Sequence, residues 1–344
     1  MSDETTQDYL ERVLDTILAA RRTSVVRTAF QLRIFDRITG PGATWAEVAR
    51  EADLHPRGAR VLLNALAALD LIDTDGDVYR LRPGTEDLLV SGCEDYLGPV
   101  SLLASSDEEW TALGSLTSSV VRGGSALAEN LDTPGFGYLE DWARQADQGT
   151  NTIALAELTA GAVAKWAEAR PSLDLLDVAC GPGWYGLEIL SRNPHARMWA
   201  VDYPNILAHT KRHAVSLGAG ERFTAIEGDM FEVRFGGPYD LVLAAAVLHH
   251  FDLGQAERLV EKLAAAVRPG GRLVVVVPTV GDGPPAENPL PYLFSVMMLA
   301  MTPQGEVHST GDYERLLARH GFGDQEWHSL PGVPIRVLVT ARLT

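Results

Sequence analysis

Asp177-Val178-Ala179-Cys180-Gly181-Pro182-Gly183 is the segment that decides the fold, because an apolar strand candidate runs directly into a turn with two glycines. Glycines in such a turn have no Cβ atoms, so backbone N–H groups at the start of the next helix can approach a ligand closely. The segment Gly181–Gly186 also matches the G-x-G-x-x-G pattern of nicotinamide-binding proteins letter for letter. The turn therefore predicts a nucleotide-like cofactor, and the motifs that follow must decide which one.

Apolar segments of strand length alternate with helical patterns from Ser172 to the C-terminus. The candidates are Leu173–Ala179, Ala196–Val201, Phe223–Glu227, Tyr239–Ala245 and Arg272–Val277, with a final pair near Gln325–Leu330 and Pro334–Thr340 that could close the sheet. Nearly continuous apolar strands separated by helices are typical of a parallel sheet covered on both faces. We therefore predict the α/β fold class, with a Rossmann-like sheet over residues 171–344.

The first 170 residues carry a mainly helical pattern. Within residues 1–95, helices precede two short strand candidates around Asp75-Gly76-Asp77, a strong hairpin signal, and this order is typical of a winged helix. Residues 96–170 are predicted to be mostly helical, a linker that helps to form a substrate pocket. There Trp110, Leu113 and Leu116, spaced at i, i+3 and i+6, are predicted to form a buried face.

Composition narrows the class of protein. A net charge of −17, from 29 basic against 46 acidic residues, disfavours nucleic acid as a partner. No apolar run is long enough for a membrane span, and the N-terminus lacks the features of a secretory signal. The two cysteines, Cys93 and Cys180, lie far apart and indicate a reducing, cytoplasmic setting. No spacing of ligand residues supports a metal site.

Chemically useful residues follow the later strand candidates. Asp202 ends the second strand, about twenty residues after the glycine turn, where a carboxylate can bind two ribose hydroxyls. Asp229 and Met230 follow the third and offer a carboxylate and an apolar side chain to an adenine. The fourth strand leads to the pair His249-His250. Carboxyl ends of parallel strands form the usual site in α/β proteins, so we predict that these residues meet.

Five of these motifs together resemble the class I methyltransferases, and more narrowly the small-molecule O-methyltransferases with an N-terminal winged-helix dimerisation domain. They are Leu175–Gly183, Val201–Pro204, Glu227–Phe231, Val247–Phe251 and Arg268–Leu273, and two C-terminal segments, Gly305–Ser309 and Tyr313–Phe322, resemble that family's signature. The resemblance covers almost the whole chain. It implies that S-adenosylmethionine (SAM) is the cofactor, that a small molecule is the acceptor, and that residues 1–95 pair two subunits as a homodimer.

The resemblance also assigns roles to residues around the cofactor. Gly181 and Gly183 would face its methionine part, Asp202 its ribose, and Asp229 with Met230 its adenine. Three further residues at the same strand ends are expected to contribute to cofactor binding: Asp177, Tyr203 and Ala245.

His249 stands where the family has its general base, and histidine suits proton removal from a phenol or enol near neutral pH. The alternative is that His249 is only a packed loop histidine. The family pattern has a glutamate at the end of the fifth strand to orient the base, but Val276-Val277-Pro278-Thr279 contains none. A second glutamate is replaced by Val307. Asp252 and Asp282 are the alternative carboxylates.

A second pattern suggests where an acceptor would bind. Phe294, Met297, Met298 and Met301 lie at helical spacing and are expected to form a substrate wall, although an ordinary helix core has the same spacing. The leading prediction is O-methylation of a small aromatic or polyketide-like natural product. C-methylation or a SAM-assisted reaction without methyl transfer is the alternative, motivated by the missing glutamates. A ligand-sensing winged-helix transcription regulator is the alternative from another class.

Overall fold

The structure is a computed structural model that describes residues 3–93, 95–145, 150–281 and 283–344. The chain forms two compact units, one running to Ser106 and the other beginning at Asp107, apart from Thr150, which groups with the first. None of the described helices combines the length and the apolar character needed to cross a membrane.

The first unit is helical with one small sheet. Its helices are α1 (Asp3–Gln31), α2 (Trp45–Glu51), α3 (Pro56–Ala68), α4 (Glu86–Leu89) and α5 (Gly98–Leu103), and its strands are β1 (Ala43–Thr44), β2 (Ile72–Asp75) and β3 (Val78–Leu81). The predicted hairpin is confirmed, and β1, which was not predicted, pairs with β3 to give the order β1-β3-β2. Phe35, Leu63 and Leu66 are among the buried residues that form its core.

The second unit holds the large sheet. Its helices are α6 (Asp107–Gly114), α7 (Leu116–Arg122), α8 (Gly137–Gln145), α9 (Thr150–Glu168), α10 (Trp184–Arg192), α11 (Pro204–Ser216), α12 (Leu253–Ala266), α13 (Leu290–Met301) and α14 (Thr310–Arg319). Its strands are β4 (Leu173–Val178), β5 (Ala196–Asp202), β6 (Phe223–Glu227), β7 (Tyr239–Ala245), β8 (Val267–Pro278), β9 (Phe322–Ser329) and β10 (Ile335–Arg342). The predicted strands are therefore confirmed, β8 being longer than expected.

The predicted buried face of Trp110, Leu113 and Leu116 is wrong. Trp110 and Leu113 are 37% and 39% exposed, and Ala112 is among the residues of α6 that are buried instead. The i, i+3, i+6 pattern assumed one continuous helix, but α6 ends at Gly114 and Leu116 begins α7. The inward face of α6 is therefore set one residue away from the predicted one.

The sheet has seven strands in the order β6-β5-β4-β7-β8-β10-β9. Strands β4 to β8 are parallel, and β10 runs antiparallel to both β8 and β9. The order reverses between β4 and β7, because the chain winds outward from β4 first in one direction and then in the other. Such a switch point leaves a crevice at the carboxyl ends of the two strands.

Both faces of the sheet are buried, which explains the continuous apolar strands. Successive side chains of a strand point to opposite faces, and Leu175 accordingly belongs to a core cluster with residues of α9, α10 and α11. Its neighbour Leu176 belongs to a second cluster, which includes residues of α12 and α14. The crevice is thus held between two packed helical layers.

Candidate functional site at the sheet switch point

The crevice between β4 and β7 brings together the two motifs that carried the most weight in the sequence. The glycine turn of Cys180–Gly183 follows β4, and a 3₁₀ turn of Leu248–His250 follows β7. These strands are hydrogen-bonded neighbours, with Val178 opposite Ala244. A ligand at this edge of the sheet would therefore lie between the two turns.

The two glycines of the turn are required by both conformation and space. Gly181 and Gly183 have φ values of 54° and 87°, a left-handed conformation that side chains disfavour. A Cβ on Gly181 would lie 2.5 Å from the ring of Trp142 on α8, and one on Gly183 would lie 2.5 Å from the Cγ2 atom of Thr210 on α11. The turn is therefore tightly enclosed by two helices.

The peptide groups of Gly181 are held at both ends. Its N–H donates to Asp202 Oδ2 at 2.9 Å, and its carbonyl accepts from the buried Thr210 hydroxyl at 2.6 Å. The other carboxylate oxygen of Asp202 accepts from the N–H of Tyr203 at 2.8 Å, and burial raises the pKa of Asp202 to about 6. Asp202 is thus fixed beside the turn with one lone pair left on each oxygen.

Asp177, within β4, is fully buried, and its carboxyl group lies within reach of the backbone N–H of Gly186, which lowers its pKa and partly offsets the effect of burial. A Cβ on Gly186 would lie 2.6 Å from its Oδ2, so the carboxyl group faces α10. Burial raises the pKa of Asp177 to about 8, aided by the nearby Asp202 carboxylate. Asp177 is therefore mainly protonated at neutral pH, and its predicted contact with a cofactor stays a prediction.

The end of β6 is tied to the end of β5. The N–H of Gly228 donates to the backbone oxygen of Asp202 at 3.0 Å. Asp229 then caps its own loop, because its Oδ1 accepts from the N–H of Phe231 at 2.8 Å. The carboxylates of Asp202 and Asp229 thus follow neighbouring strands, as predicted.

Two further residues shape this side of the crevice. The ammonium group of Lys262 on α12 donates to the backbone oxygen of Met230 at 2.7 Å, which fixes the loop that carries Met230. Asp132, an exposed residue of the segment before α8, lies near Asp229, and desolvation by its surroundings together with the charge of that carboxylate raises its pKa to about 6. Burial, with these carboxylates nearby, also raises the pKa of Tyr203 to about 12.

Backbone strain marks the ends of both central strands. Ala179 follows β4 with a φ of 54°, and Ala246 follows Ala245 at the end of β7 with a φ of 55°. Left-handed backbone in a residue with a Cβ costs about 1–2 kcal/mol and is concentrated at functional sites. The chain therefore turns sharply out of the sheet on both sides of the crevice.

His249 lies within the second turn and is 3% exposed. The edge of its ring meets Phe294 of α13 with a centroid separation of 5.3 Å, and His250 lies 4.8 Å away. Burial, and then the neighbouring His250 and His308, lower the pKa of His249 well below its usual range. The side chain is therefore neutral at physiological pH.

The one alternative carboxylate that the structure describes, Asp252, is engaged elsewhere. Glu306 is exposed, whereas its neighbour Val307 is buried. Asp252 caps α12 by accepting from the N–H of Gln255 at 2.7 Å. Asp282 lies outside the described residues. Among the described residues, the Nδ1 atom of His249 has no hydrogen-bond partner and is buried.

The C-terminal signature packs against the histidine turn. A Cβ on Gly305 would lie 2.9 Å from the backbone oxygens of both His249 and His250. His308 bonds through Nε2 to the backbone oxygen of Phe251 at 3.0 Å. The signature segment therefore fixes the backbone of the turn on two sides.

The predicted substrate wall is divided. Phe294 lies against His249 and is half-buried, as is Met297. Met298 and Met301 are fully buried, and the backbone oxygen of Met301 accepts from the N–H of Leu131 at 2.9 Å. Their predicted contact with an acceptor is untested.

Trp142, Thr210 and Lys262 were missed by reasoning from sequence. Each acts on the crevice from a helix that is distant in sequence from the segment it contacts. Local periodicity carries no signal for contacts between segments this far apart. Only the contact of Thr210 could have been suggested, by pairing this threonine with Gly181 of the glycine turn, 29 residues earlier.

Two family models match this chain. The O-methyltransferase domain matches residues 144–323, and the O-methyltransferase dimerisation domain matches residues 14–91. Together they cover most of the helical first unit and the five parallel strands with their crevice.

Individual proteins are similar over most of the chain. The 3-amino-4-hydroxybenzoate 4-O-methyltransferase of Streptomyces cremeus is 29% identical, over 93% of this chain and 87% of its own length. The tetracenomycin polyketide synthesis 8-O-methyl transferase of Streptomyces glaucescens is 25% identical over 93% of both chains. The crystal structure of human N-acetylserotonin methyltransferase in complex with SAM has the same fold, with a TM-score of 0.78, 21% identity and full coverage of both chains.

Proposed function

This chain belongs to the O-methyltransferase family, and from that premise we propose that it transfers a methyl group from SAM to a hydroxyl of a small aromatic or polyketide-like molecule. Membership makes it a SAM-dependent methyltransferase and decides against a transcription regulator. The two Streptomyces relatives, one named for a hydroxybenzoate and one for a polyketide, support this acceptor class.

The observation that carries the proposal is the meeting of the glycine turn and the His249 turn at one switch point. SAM supplies a methyl group on a positively charged sulfur. In-line displacement needs donor and acceptor aligned and close, which can lower the barrier by about 7–11 kcal/mol. Turns that follow two adjacent strands can hold one reactant each.

The residues of the first turn fit the cofactor. The left-handed turn at Gly181 and Gly183 would face the methionine part, and Asp202 has a free lone pair on each oxygen for the ribose hydroxyls. We place the adenine between Asp229 and Met230, with Tyr203 and Ala245 at the same edge. Asp177 helps to hold the turn through its carboxyl group, which faces α10.

On the acceptor side, His249 is the residue that we place at the hydroxyl, with Phe294 and Met297 beside it and Met298 and Met301 behind. Its Nδ1 is enclosed, which leaves Nε2 as the ring nitrogen that an acceptor would meet.

Binding of S-adenosylhomocysteine tests the cofactor site directly. We expect stoichiometric binding by calorimetry, and loss of binding in Asp202→Ala, because that carboxylate both orders the turn and faces the ribose. Glu221→Ala, an exposed acid before β6, is the matched control and should bind normally. Normal binding by Asp202→Ala would remove the assignment.

We also propose that the first unit, predicted to span residues 1–95, pairs two copies of the chain. The support is the dimerisation-domain match and the long exposed helix α1, whose apolar side chains include Tyr9 and Ile17, 66% and 67% exposed. An apolar surface of this kind is typical of an interface.

A second candidate keeps the fold and cofactor but changes the reaction to C-methylation or to a step without methyl transfer. The observation that favours it is the His249 ring, whose Nδ1 has no acceptor among the described residues. Mass spectrometry and NMR of the product would separate the candidates, by showing whether a methyl group was added and whether it sits on oxygen or carbon.

A further inference from the structure

The surroundings of His249 oppose a positive charge on its ring. The side chain is 3% exposed, and its Nδ1 is enclosed without a hydrogen-bond partner in the described part of the chain. An imidazolium carries a second N–H that must find an acceptor, and a buried charge without a partner is strongly disfavoured. His249 is therefore poorly suited to take up and hold a proton.

The groups that face His249 from each neighbouring element reinforce this conclusion. His250 lies on the same turn, and burial lowers its pKa to about 4. His308 comes from the C-terminal signature, and any charge on either histidine would repel an imidazolium. Phe294, from α13, supplies an aromatic ring.

No described residue at the end of the adjacent strand β8 supplies a carboxylate that would stabilise an imidazolium at His249. Thr279, directly after β8, is buried, and its hydroxyl has no hydrogen-bond partner among the described residues. Glu306 is exposed, and Val307 is buried in the position beside it. The positively charged sulfur of the cofactor would further disfavour an imidazolium and favour an oxyanion at the same place.

We propose that the acceptor is an acidic hydroxyl, one conjugated to a carbonyl or quinone so that it ionises near neutral pH, and that it binds as its oxyanion. This inference rests on the proposed function and names its substrate class. His249 stays neutral and donates one hydrogen bond from Nε2 to the oxyanion. The oxyanion's lone pair forms the O–C bond, the electron pair of the broken S–C bond stays on sulfur, and the two charges cancel without any proton transfer.

The acidity of the hydroxyl decides whether such a site can work. A phenol with a pKa of about 10 is ionised in about one molecule in 1,000 at pH 7. General-base catalysis overcomes this when the base has a pKa near the working pH, a condition that buried His249 does not meet. A hydroxyl conjugated to a quinone is ionised before it binds.

The test uses two bicyclic probes of matched size, 2-hydroxy-1,4-naphthoquinone as the acidic hydroxyl and 2-naphthol as the ordinary phenol. The full-length protein is saturated with sinefungin, an unreactive SAM analogue that carries a positively charged amine near the position of the sulfonium, and the absorption spectrum of each bound probe is recorded against pH. We expect the bound quinone to keep its anion spectrum at least one pH unit below the point where it protonates in water. The bound naphthol should remain neutral at pH 7.

Turnover with SAM supplies the second readout. We expect kcat/KM for the quinone to exceed that for 2-naphthol at least 100-fold. His249→Gln keeps a neutral donor near the Nε2 position and should lower kcat/KM for the quinone less than tenfold, whereas loss of a general base typically costs about 10²–10⁴-fold. His249→Ala, which removes the donor, should lower it further.

Different failures point to different errors. A protein that does not bind S-adenosylhomocysteine overturns the proposed function itself. A protein that binds it, yet protonates the bound quinone or methylates 2-naphthol equally well, overturns only the acceptor class. A drop of 10²-fold or more in His249→Gln, or a shift of the pH profile in Asp282→Asn, would also overturn the inference, because either result shows a charged base at work.

Discussion

Thr210→Val removes the hydroxyl of Thr210 but keeps its methyl group, so it tests whether the hydroxyl holds the glycine turn. The hydroxyl donates to the Gly181 carbonyl at 2.6 Å, while the Cγ2 methyl packs where a Cβ on Gly183 would sit. Valine keeps the shape and the methyl contact but cannot donate. The substitution therefore removes the short hydrogen bond to Gly181, together with two longer contacts of the hydroxyl, at 3.3 Å to the backbone oxygen of Ile206 and at 3.7 Å to the Sγ atom of Cys180.

The size of the effect follows from the burial of Thr210, which is complete. A buried carbonyl that loses its donor costs about 1–3 kcal/mol. In the free protein the Gly181 carbonyl can turn towards water, which recovers part of this free energy. Cofactor binding requires the original turn, so the recovered part then lowers the affinity. Because 1.4 kcal/mol is a tenfold change in affinity, the affinity for S-adenosylhomocysteine should fall by about 5- to 100-fold.

Calorimetry with S-adenosylhomocysteine measures the affinity, and thermal unfolding without ligand measures the remainder of the cost. Thr159→Val is the matched control, since Thr159 is also fully buried and its hydroxyl donates to the backbone oxygen of Leu155 at 2.7 Å, within α9. It should lower stability with no effect on affinity. Thr210→Ser, which keeps the hydroxyl, should bind nearly normally.

One pattern of results would refute this reasoning. If Thr210→Val lost thermal stability as Thr159→Val does, but bound S-adenosylhomocysteine within twofold of the unaltered protein, the hydrogen bond would support only the packing of α11. The turn would then be fixed by its other contacts, among them the carboxylate of Asp202 and the ring of His213, whose Nδ1 lies 3.2 Å from the Pro182 carbonyl oxygen.

Three further predictions concern separate parts of the molecule. Gly181→Ala should weaken S-adenosylhomocysteine binding at least tenfold by calorimetry, because its Cβ would meet Trp142, whereas Gly218→Ala, equally left-handed but with open space around it, should not. Because the folded-state pKa of Asp177 is about 8, against an ordinary value of 3.8, the unfolding free energy should fall between about pH 4 and pH 8 as the unfolded chain loses the proton first. Asp177→Asn should remove up to about 1.4 kcal/mol per pH unit of that slope in urea unfolding, and an unchanged slope would contradict the raised pKa. Ile17→Glu should shift the protein towards monomer in light scattering, with an unaltered dimer as the contrary result.

Much of the catalytic sheet was predictable because burial on both faces leaves a strong pattern. Strands such as Tyr239–Ala245 are apolar except for Asp240, and the glycines at 181 and 183 mark the turn that follows β4. Asp202 could be placed because it ends a strand, and the carboxyl ends of parallel strands share one edge. Sequence patterns are therefore sufficient where residues close together in the sequence determine the structure.

Other features depend on contacts that no local pattern records. The left-handed conformations of Ala179 and Ala246 were not predictable, since alanine has no preference for them. The close approach of the Trp142 ring to Gly181 joins residues 39 positions apart. The exposed side of Trp110 was mispredicted because a helix break, invisible in the apolar spacing, changed which face turns inward.

The bare Cα of Gly305 has a practical consequence for altering the acceptor range of this protein. Any side chain there would press on the carbonyls of both His249 and His250 at 2.9 Å and displace the turn that carries them. A mutant library should therefore leave Gly305 fixed. Val296 and Leu299, which line a neighbouring groove of about 330 Å³ along α13, can be randomised instead, so that diversity is introduced near the His249 turn while its backbone stays in place.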